Sequence, residues 1–183
     1  MMGRDKLLES VEGMPILRRQ ALAALTTGCA VAVTLPPGSS QRRESLEGLA
    51  VHLEDVPDAE EGMAASLRHA AALLGEGQSM GLLLPDVPGI SGPDICHVLD
   101  AFRETGENKA TRASDTADRP GTPLFLPHRI ACQFSNLEGD TGGKALLKDE
   151  EIQLVPFRDD RATVDLDTPE AWAAWRRASG IHD

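Results

Sequence analysis

The sequence has few aromatic residues and no long apolar segment. Its 183 residues include four phenylalanines, two tryptophans and no tyrosine, so leucine, valine and alanine must fill the core of the folded domain. No apolar run reaches the roughly 18 residues that a transmembrane helix needs, and no apolar segment of the secretory-signal type is found. We therefore expect a soluble, cytoplasmic protein with no membrane partner.

Positive charge is also scarce. The chain has 18 lysines and arginines against 29 aspartates and glutamates, which gives a formal net charge of −11 at pH 7. A nucleic-acid-binding surface needs a basic face, so we expect no nucleic-acid partner. An anionic ligand would need local compensation from a few basic side chains, a helix N-terminus or a divalent cation.

The cysteines are few and lack the spacing of a metal site. Cys29, Cys96 and Cys132 are far apart in the sequence, without any C-x-x-C pair, and the five histidines show no zinc spacing either. Free cysteine is among the residue types most often found in protein interiors. We expect three buried, unpaired thiols in a reducing compartment.

Apolar runs and amphipathic segments alternate along the chain. The runs at residues 29–35 and 80–84 have no polar alternation, which is typical of strands buried on both faces. Between them lie helical patterns, and a further one follows, with apolar residues at i, i+3, i+4 and i+7: Ile95, Val98, Leu99 and Phe102. This alternation predicts βαβ units within one α/β domain spanning residues 1–183.

The remaining segments give shorter predictions. Residues 105–121 form either a mobile loop or a loop that contains a short strand near 110–113. Further strands are predicted at residues 49–53, 124–126, 152–156 and 162–166. The last helix is predicted to begin around the Asp-Thr-Pro-Glu sequence at 167–170, because a capping residue, a proline in the first turn and an acid favour a helix N-terminus.

An acidic residue follows the most apolar of these strands. Asp86 comes just after the run at residues 80–84, between two prolines. In open α/β sheets, ligands bind beyond the carboxyl ends of the strands, where a carboxylate can hold Mg²⁺ against nucleotide phosphates. The alternative interpretation is an ordinary turn of aspartate and proline residues.

Five segments resemble, in this order, the MobA/MocA-like nucleotidyltransferases, which join a nucleotide to the molybdopterin cofactor. The segments are MGRDKLL at 2–8, GMAASL at 62–67, LPDVP at 84–88, GTP at 121–123 with GDTGGK at 139–144, and DLDTPE at 165–170. The chain looks more similar to the MocA-type cytidylyltransferases, because the guanylyltransferases usually carry asparagine where Asp165 and Asp167 stand. The resemblance implies a three-layer α/β/α, Rossmann-like (GT-A-like) nucleotidyltransferase fold with a mostly parallel twisted sheet.

The resemblance also implies a reaction. A nucleotidyltransferase of this kind moves a nucleotide from an NTP, here with CTP favoured, to the terminal phosphate of molybdopterin and releases pyrophosphate, with Mg²⁺ as cofactor. A molybdoenzyme or its chaperone would be a further partner. Two alternatives stay open: the same fold acting on another phosphorylated acceptor, and a catalytically inactive, truncated relative that serves as a binding protein.

Site residues follow from the same resemblance. Lys6 and Asp86 are the implied catalytic residues, with Lys6 at the phosphates and Mg²⁺ held by Asp86 and Asp167. The implied nucleotide-binding residues are Lys6, Gly62, Ser66 and Asp86, and the implied acceptor-binding residues are Gly121, Pro123, Asp140 and Gly142. Each has a structural alternative: a solvated lysine at 6, an ordinary helix start at 62–66, a turn at 140 and a helix cap at 167.

One part of the family pattern is missing. The family begins with a strand and a glycine-rich loop directly before the segment that matches residues 2–8. We therefore expect an N-terminally truncated domain in which the first strand is missing and a gap lies between the strands at 29–35 and 80–84. Either the chain begins at an internal methionine of a longer protein, which we favour, or it is a degenerate relative.

Overall fold

The structure is a computed structural model that describes residues 5–137, 143–164 and 166–179. Seven helices and eight strands follow each other within these residues. The helices are α1 (Ile16–Leu25), α2 (Ser40–Ser45), α3 (Met63–Ala72), α4 (Gly92–Glu104), α5 (His128–Ala131), α6 (Lys144–Leu147) and α7 (Pro169–Ser179). The strands are β1 (Ser10–Val11), β2 (Met14–Pro15), β3 (Ala32–Leu35), β4 (His52–Asp55), β5 (Met80–Leu82), β6 (Ala110–Ser114), β7 (Pro120–Leu126) and β8 (Ile152–Pro156).

The larger sheet has four strands in the order β5-β7-β6-β8. Strands β6 and β8 are parallel, whereas β7 runs antiparallel to both of its neighbours. Local sequence does not encode the direction of a strand, and the pattern at 124–126 predicted only its existence. The mostly parallel sheet of the prediction is therefore a mixed sheet, with β7 reversed.

Strands β3 and β4 form a separate, parallel two-stranded sheet. In the part of the chain that the structure describes, β3 pairs only with β4, and β5 pairs only with β7. The two sheets are thus separate at the position between residues 29–35 and 80–84 where the sequence predicts a gap.

Hydrophobic cores lie on both faces of the four-stranded sheet. On one face, Leu124 and Leu126 of β7 pack with α3, with α5 and with the segment around Phe134. On the other face, Phe125 packs with Phe102 of α4. This alternation along β7 follows from the period of two in a strand. The α/β class and the layered, Rossmann-like arrangement are confirmed.

Helix α4 shows how directly the sequence specifies one element. All four residues of its predicted apolar stripe are buried: Ile95, Val98, Leu99 and Phe102. The Ser91 side chain accepts a hydrogen bond from the backbone N–H of Asp94, and the Asp94 carboxylate accepts one from the Ser91 N–H. This reciprocal pair of hydrogen bonds is a capping box.

Two predictions are wrong, and one pair of strands was not predicted. The stretch from Ala162 is a turn rather than a strand, and it begins at a short turn closed by Thr163 N–H donating to the Asp160 carbonyl. Cys29 and Cys132 are exposed, and Cys96 is partly exposed. Cys29 lies in the connection between α1 and β3, and Cys132 directly follows α5. The antiparallel β1–β2 pair was not predicted, since two-residue strands leave no periodic signal.

Among the described residues, no helix combines the length and the apolar character that crossing a membrane would require.

Candidate active site

The N-terminal segment is attached to the end of β3. A 3₁₀ turn spans Lys6–Leu8, and the Asp5 carboxylate caps it by accepting from the Leu7 N–H at 3.1 Å. The same carboxylate accepts from Arg42 Nε at 2.6 Å and Nη2 at 3.0 Å. Burial acts to raise the pKa of Asp5, but the hydrogen bonds from Arg42 and Leu7 lower that pKa below its ordinary value.

Arg42, whose sequence neighbour is also an arginine, is not simply a solvated surface side chain. Its side chain is only 26% exposed and pairs with Asp5 in a bidentate contact. The two residues are separated by 37 positions, so no local pattern could reveal the pair.

The Lys6 side chain brings two distant carboxylates together. Its Nζ lies 2.7 Å from Asp86 Oδ2 and 2.6 Å from Asp167 Oδ1. The Asp86 side chain is 21% exposed and that of Asp167 is 65% exposed, so one edge of the cluster faces solvent. The structure therefore unites three residues that the family resemblance had implied separately.

Two long-range contacts hold the loop that carries Asp86. Buried Gln20 of α1 donates from Nε2 to the carbonyls of Val87 at 3.1 Å and Ile90 at 3.2 Å. The Leu84 N–H donates to Thr122 Oγ1 at 3.2 Å. Gln20 was not predicted as a supporting residue. The available signal is a polar residue in a helix whose other buried residues are apolar: Ile16, Leu17 and Ala21.

Asp167 does not cap the last helix. The Thr168 hydroxyl accepts from the Ala171 N–H at 3.1 Å, and the Thr168 carbonyl accepts from the Trp172 N–H at 3.1 Å. Thr168 therefore supplies the capping contact, which leaves the Asp167 carboxylate directed to Lys6.

The loop leading to Asp167 is anchored on the start of β7. The Thr122 N–H donates to the Ala162 carbonyl at 2.9 Å, and a Cβ built on Gly121 would stand 2.8 Å from the Ala162 Cβ and overlap the Ala162 carbonyl. Asp115, which is 1% exposed, accepts from the Thr163 hydroxyl at 3.0 Å. Gly121 thus allows two backbone segments to approach closely.

Four hydrogen bonds explain the acidity of Asp115. Burial acts to raise its pKa, but the N–H groups of Ala117 and Arg119, the Thr163 hydroxyl and the Arg119 side chain lower the pKa to about 2. Asp115 is therefore ionised at neutral pH and holds the β6–β7 connection to the loop around residue 163.

Other implied site residues lie in other elements of the fold or outside the described residues. Gly62 has a φ of 92° and directly precedes α3, and Ser66 lies in that helix. Pro123 is a buried residue of β7. Asp140, Gly142 and Asp165 lie outside the described residues.

A shallow depression lies beside Asp5, at the carboxyl end of β3. Its volume is about 220 Å³, and it is lined by Asp5, Pro36, residues 38–41 and Arg42. A second depression of about 320 Å³ lies against Pro36 and Pro57, after the ends of β3 and β4. Both depressions lie beyond the carboxyl ends of β3 and β4, on the side of a sheet where ligands bind in open α/β folds, and Asp5 is the residue of the first that neighbours Lys6 in the sequence.

Solved structures with the same fold are nucleotidyltransferases and related proteins. Rv0371c from Mycobacterium tuberculosis H37Rv matches with a TM-score of 0.77 and 20% identity, over 96% of this chain and 89% of that chain. A manganese complex of Rv0371c has a TM-score of 0.75 and 19% identity, with coverages of 92% and 89%. CMP:2-keto-3-deoxy-manno-octonic acid synthetase in complex with CTP has a TM-score of 0.74 and 12% identity, with coverages of 96% and 91%.

These structures show the fold, and the family that the sequence matches shows a nucleotidyltransferase enzyme that uses an NTP. The sequence profile of the MobA-like NTP transferase domain matches residues 1–155, and the chain belongs to that family. No curated protein sequence matches this chain.

Proposed function

We propose that this protein transfers a cytidylyl group from CTP to the terminal phosphate of molybdopterin and releases pyrophosphate. The observation that carries the proposal is the position of Lys6 Nζ between Asp86 and Asp167, beyond the end of β5, in a member of the MobA-like NTP transferase family. The aspartates at 165 and 167 favour CTP over GTP within that family, and a structural neighbour that binds CTP supports this choice.

Asp86 and Asp167 fit the requirements of Mg²⁺. Both offer hard carboxylate oxygens, and an ammonium group already lies within 2.7 Å of each. Among residues 5–137, 143–164 and 166–179, no group of three or more His, Cys, Asp and Glu side chains could hold a metal ion. Mg²⁺ in nucleotide enzymes is commonly bound through one or two carboxylates together with substrate phosphates, so two carboxylates are sufficient.

The reaction is an in-line displacement at the α-phosphorus of CTP. An oxygen of the acceptor phosphate forms the new bond to phosphorus, and the bond to the bridging oxygen of pyrophosphate breaks. Because the acceptor phosphate is already ionised, no general base is required. Lys6 offsets charge on the leaving pyrophosphate, and bound Mg²⁺ supplies further neutralisation of the same charge.

In this proposal Lys6 pairs with the two carboxylates in one state and contacts the phosphates in another, and it cannot do both fully at once. In the described state its ammonium compensates Asp86 and Asp167. To contact phosphates, Lys6 releases at least one of these carboxylates, which then becomes available to a divalent ion. Asp5, fixed by Arg42, holds the backbone next to Lys6 while the side chain moves.

The remaining residues of the proposal surround this centre. Gly62 and Ser66 would lie beside the nucleotide, next to the depression that adjoins β3 and β4. On the acceptor side, the proposal keeps Gly121, Pro123, Asp140 and Gly142.

Metal binding tests the site without requiring turnover. We expect Asp86→Asn to weaken binding of Mn²⁺ to the nucleotide-free protein by about tenfold or more, because a metal-ligating carboxylate becomes a neutral amide. Lys6→Met should strengthen Mn²⁺ binding, because a competing cation is removed. Titration followed by electron paramagnetic resonance measures both, and Asp100→Asn on the exposed face of α4 is the matched control. Unchanged Mn²⁺ affinity in Asp86→Asn would refute the assignment.

Transfer assays test the substrates. With labelled CTP or GTP, Mg²⁺ and molybdopterin, we expect a cytidylylated product and a preference for CTP. A clear preference for GTP would show that the nucleotide is wrong, and transfer to a sugar phosphate but not to molybdopterin would show that the acceptor is wrong. Asp86→Asn should abolish transfer while the protein stays folded.

A further inference from the structure

Arg112 of β6 is a partly buried arginine without a carboxylate partner in the part of the chain that the structure describes. Its Nε donates to the Gly121 carbonyl, and its two terminal nitrogens have no partner among the described residues. Burial lowers the pKa of Arg112 below its ordinary value, but a guanidinium remains charged in proteins. The outer edge of the side chain is therefore a partly desolvated cation that is free to bind an anion.

Two other partly buried arginines of this chain are paired with carboxylates. Arg42 binds Asp5, and Arg161 binds both Asp94 and Asp159. Acidic residues are abundant, with 29 against 18 basic ones, and buried charges are normally compensated. A partly buried cation without such compensation is a feature of ligand-binding sites.

Arg112 and a second unsatisfied polar group lie on the same face of the four-stranded sheet. Because side chains alternate along a strand, Ala110, Arg112 and Ser114 share one face, and Ala110 is buried there in the core that includes α3. Ala113 packs on the opposite face with α4. The Ser114 hydroxyl is fully buried and has no hydrogen-bond partner within the described residues. Polar groups on this face are therefore left incomplete at two positions.

The surface next to Arg112 is apolar and accessible. Leu154 of β8 pairs with Arg112 and is partly exposed, and Pro156 pairs with Ser114 and is exposed. Paired residues of neighbouring strands lie side by side on the same face of a sheet. Apolar side chains around one oriented polar group are typical of a site for a small molecule.

This face extends toward the contact between Lys6 and Asp86. Strands β5 and β6 both pair antiparallel with β7, so β5 and β6 are parallel and end at the same edge of the sheet. Leu82 of β5 and Arg112 both pair with Leu124 of β7, which places their backbones about 10 Å apart at the usual strand spacing. Asp86 follows Leu82 by four residues. A small molecule bound at Arg112 can therefore extend to the Asp86 carboxylate.

We propose that Arg112 is an acceptor-binding residue, whose guanidinium holds the phosphate group of the acceptor. This step rests on the proposed function, in which an oxygen of the acceptor phosphate attacks the α-phosphorus of the NTP. The terminal nitrogens donate to two phosphate oxygens and leave the third oxygen for the attack, while Nε stays on the Gly121 carbonyl. Lys6 serves the nucleotide phosphates, so each reactant has its own cation.

A titration with inorganic phosphate tests the anion site without turnover. The readout is the Nε–H resonance of Arg112 in proton–nitrogen NMR spectra of the protein without nucleotide or metal, assigned as the signal that is lost in Arg112→Met. We expect phosphate to shift this resonance with saturation, and chloride at equal ionic strength to leave it in place. Arg103, which is 52% exposed and paired with Asp100, is the internal control. In Lys6→Met the shift of Arg112 should persist.

Steady-state transfer assays test which reactant Arg112 binds. We expect Arg112→Met to raise the KM for the acceptor at least about tenfold, because charge-assisted hydrogen bonds to phosphate are lost, and to leave the KM for CTP within about twofold. Arg112→Lys keeps the charge without the planar fork and should fall between the wild type and Arg112→Met. Arg103→Met is the matched control and should change neither KM.

Three outcomes would overturn the proposal. The first is an Arg112 resonance that phosphate does not shift in the folded protein. The second is a raised KM for CTP with an unchanged KM for the acceptor, which would assign Arg112 to the nucleotide. The third is an equal loss for both substrates together with a lower melting temperature, which would make the contact with Gly121 purely structural.

The two experiments also separate this inference from the proposed function. The phosphate titration depends only on Arg112 and its surroundings, so a negative result refutes the anion site whatever reaction the enzyme performs. A positive titration in a wild-type protein that transfers no nucleotide to any phosphorylated acceptor would instead refute the proposed function, and with it the acceptor as the ligand of Arg112.

Discussion

The two sheets of this protein differ in how completely their strands are buried. In β7, every residue from Gly121 to Leu126 is buried, whereas β4 has no buried residue and β3 has only Leu35. The four-stranded sheet is covered on both faces, and its central strand has partners on both edges. The β3–β4 sheet has a core on one face and an open edge, so its local stability should be lower.

The candidate active site lies across the boundary between these regions. Asp86 and Asp167 follow elements that pack on the four-stranded sheet, whereas Asp5 and Arg42 connect Lys6 to the end of β3. A reaction that needs Lys6 and both carboxylates thus depends on the position of the β3–β4 sheet, which is less well packed, relative to the four-stranded sheet, which is well packed. The distances within the site therefore depend on how firmly the surrounding residues hold β3 and the segment at Asp5.

Core truncations on either side should have the largest effect on stability. Phe102 is 1% exposed and stacks on Phe125 with the ring centroids 5.9 Å apart. We expect Phe102→Ala to cost about 3–5 kcal/mol in the free energy of unfolding. Leu35→Ala, at an equally buried position, should cost less, about 2–3 kcal/mol, because β3 can relax toward its open edge. Urea unfolding measures both.

Exchange measurements would sharpen this contrast. Leu35→Ala should speed amide exchange in β3 and β4 first, whereas Phe102→Ala should speed exchange everywhere. If Leu35→Ala lowered the free energy of unfolding as much as Phe102→Ala and also sped amide exchange in every element, the two sheets would form one cooperative unit. The expected lower local stability of the β3–β4 sheet would then be wrong.

Sequence patterns predicted elements whose contacts are local. The stripe of α4 and its cap could be derived because residues three and four apart share a helix face. The position of Asp86 after a strand also followed from a local pattern, although of the three residues of that strand only Met80 is buried. In both cases, the physical cause lies within about a dozen residues.

Other features depend on distant residues, and no local pattern contains them. The reversed direction of β7, the pairing of Asp5 with Arg42 and the support of the Asp86 loop by Gln20 all join segments far apart in the chain. Residues 162 and 163, at the start of the predicted strand at 162–166, form a turn because Ala162 packs on Gly121 and Thr163 binds Asp115. Tertiary contacts override the β-propensity of such a short segment.

The variant Gly121→Ala tests how the four-stranded sheet positions the loop that leads to Asp167. In Gly121→Ala the new methyl group would overlap the Ala162 carbonyl, so the loop that leads to Asp167 must shift. We expect a loss of about 1–3 kcal/mol in stability and weaker Mn²⁺ binding. Gly75→Ala is the control, because its nearest contact is the flexible side chain of Gln78. If Gly121→Ala matched Gly75→Ala in both measurements, the loop would not depend on this close approach.

The smallest effect that we predict is a pH dependence that arises from Asp115. Its pKa is about 2 in the folded protein, below the ordinary value of 3.8, so its ionised form stabilises the fold above pH 3.8 and this contribution is lost as the pH falls toward 2. Asp115→Asn removes the charge at every pH. We therefore expect a lower melting temperature for the variant at pH 7, and a difference from the wild type that shrinks below pH 3.8.

Other carboxylates with lowered pKa values, such as Asp5, are present in both proteins and cancel in that difference. Calorimetric scans between pH 7 and pH 2, with Asp100→Asn as the control, measure it. A difference that stays constant down to pH 2 would mean that the Asp115 side chain acts through the shape of its hydrogen bonds and not through its charge.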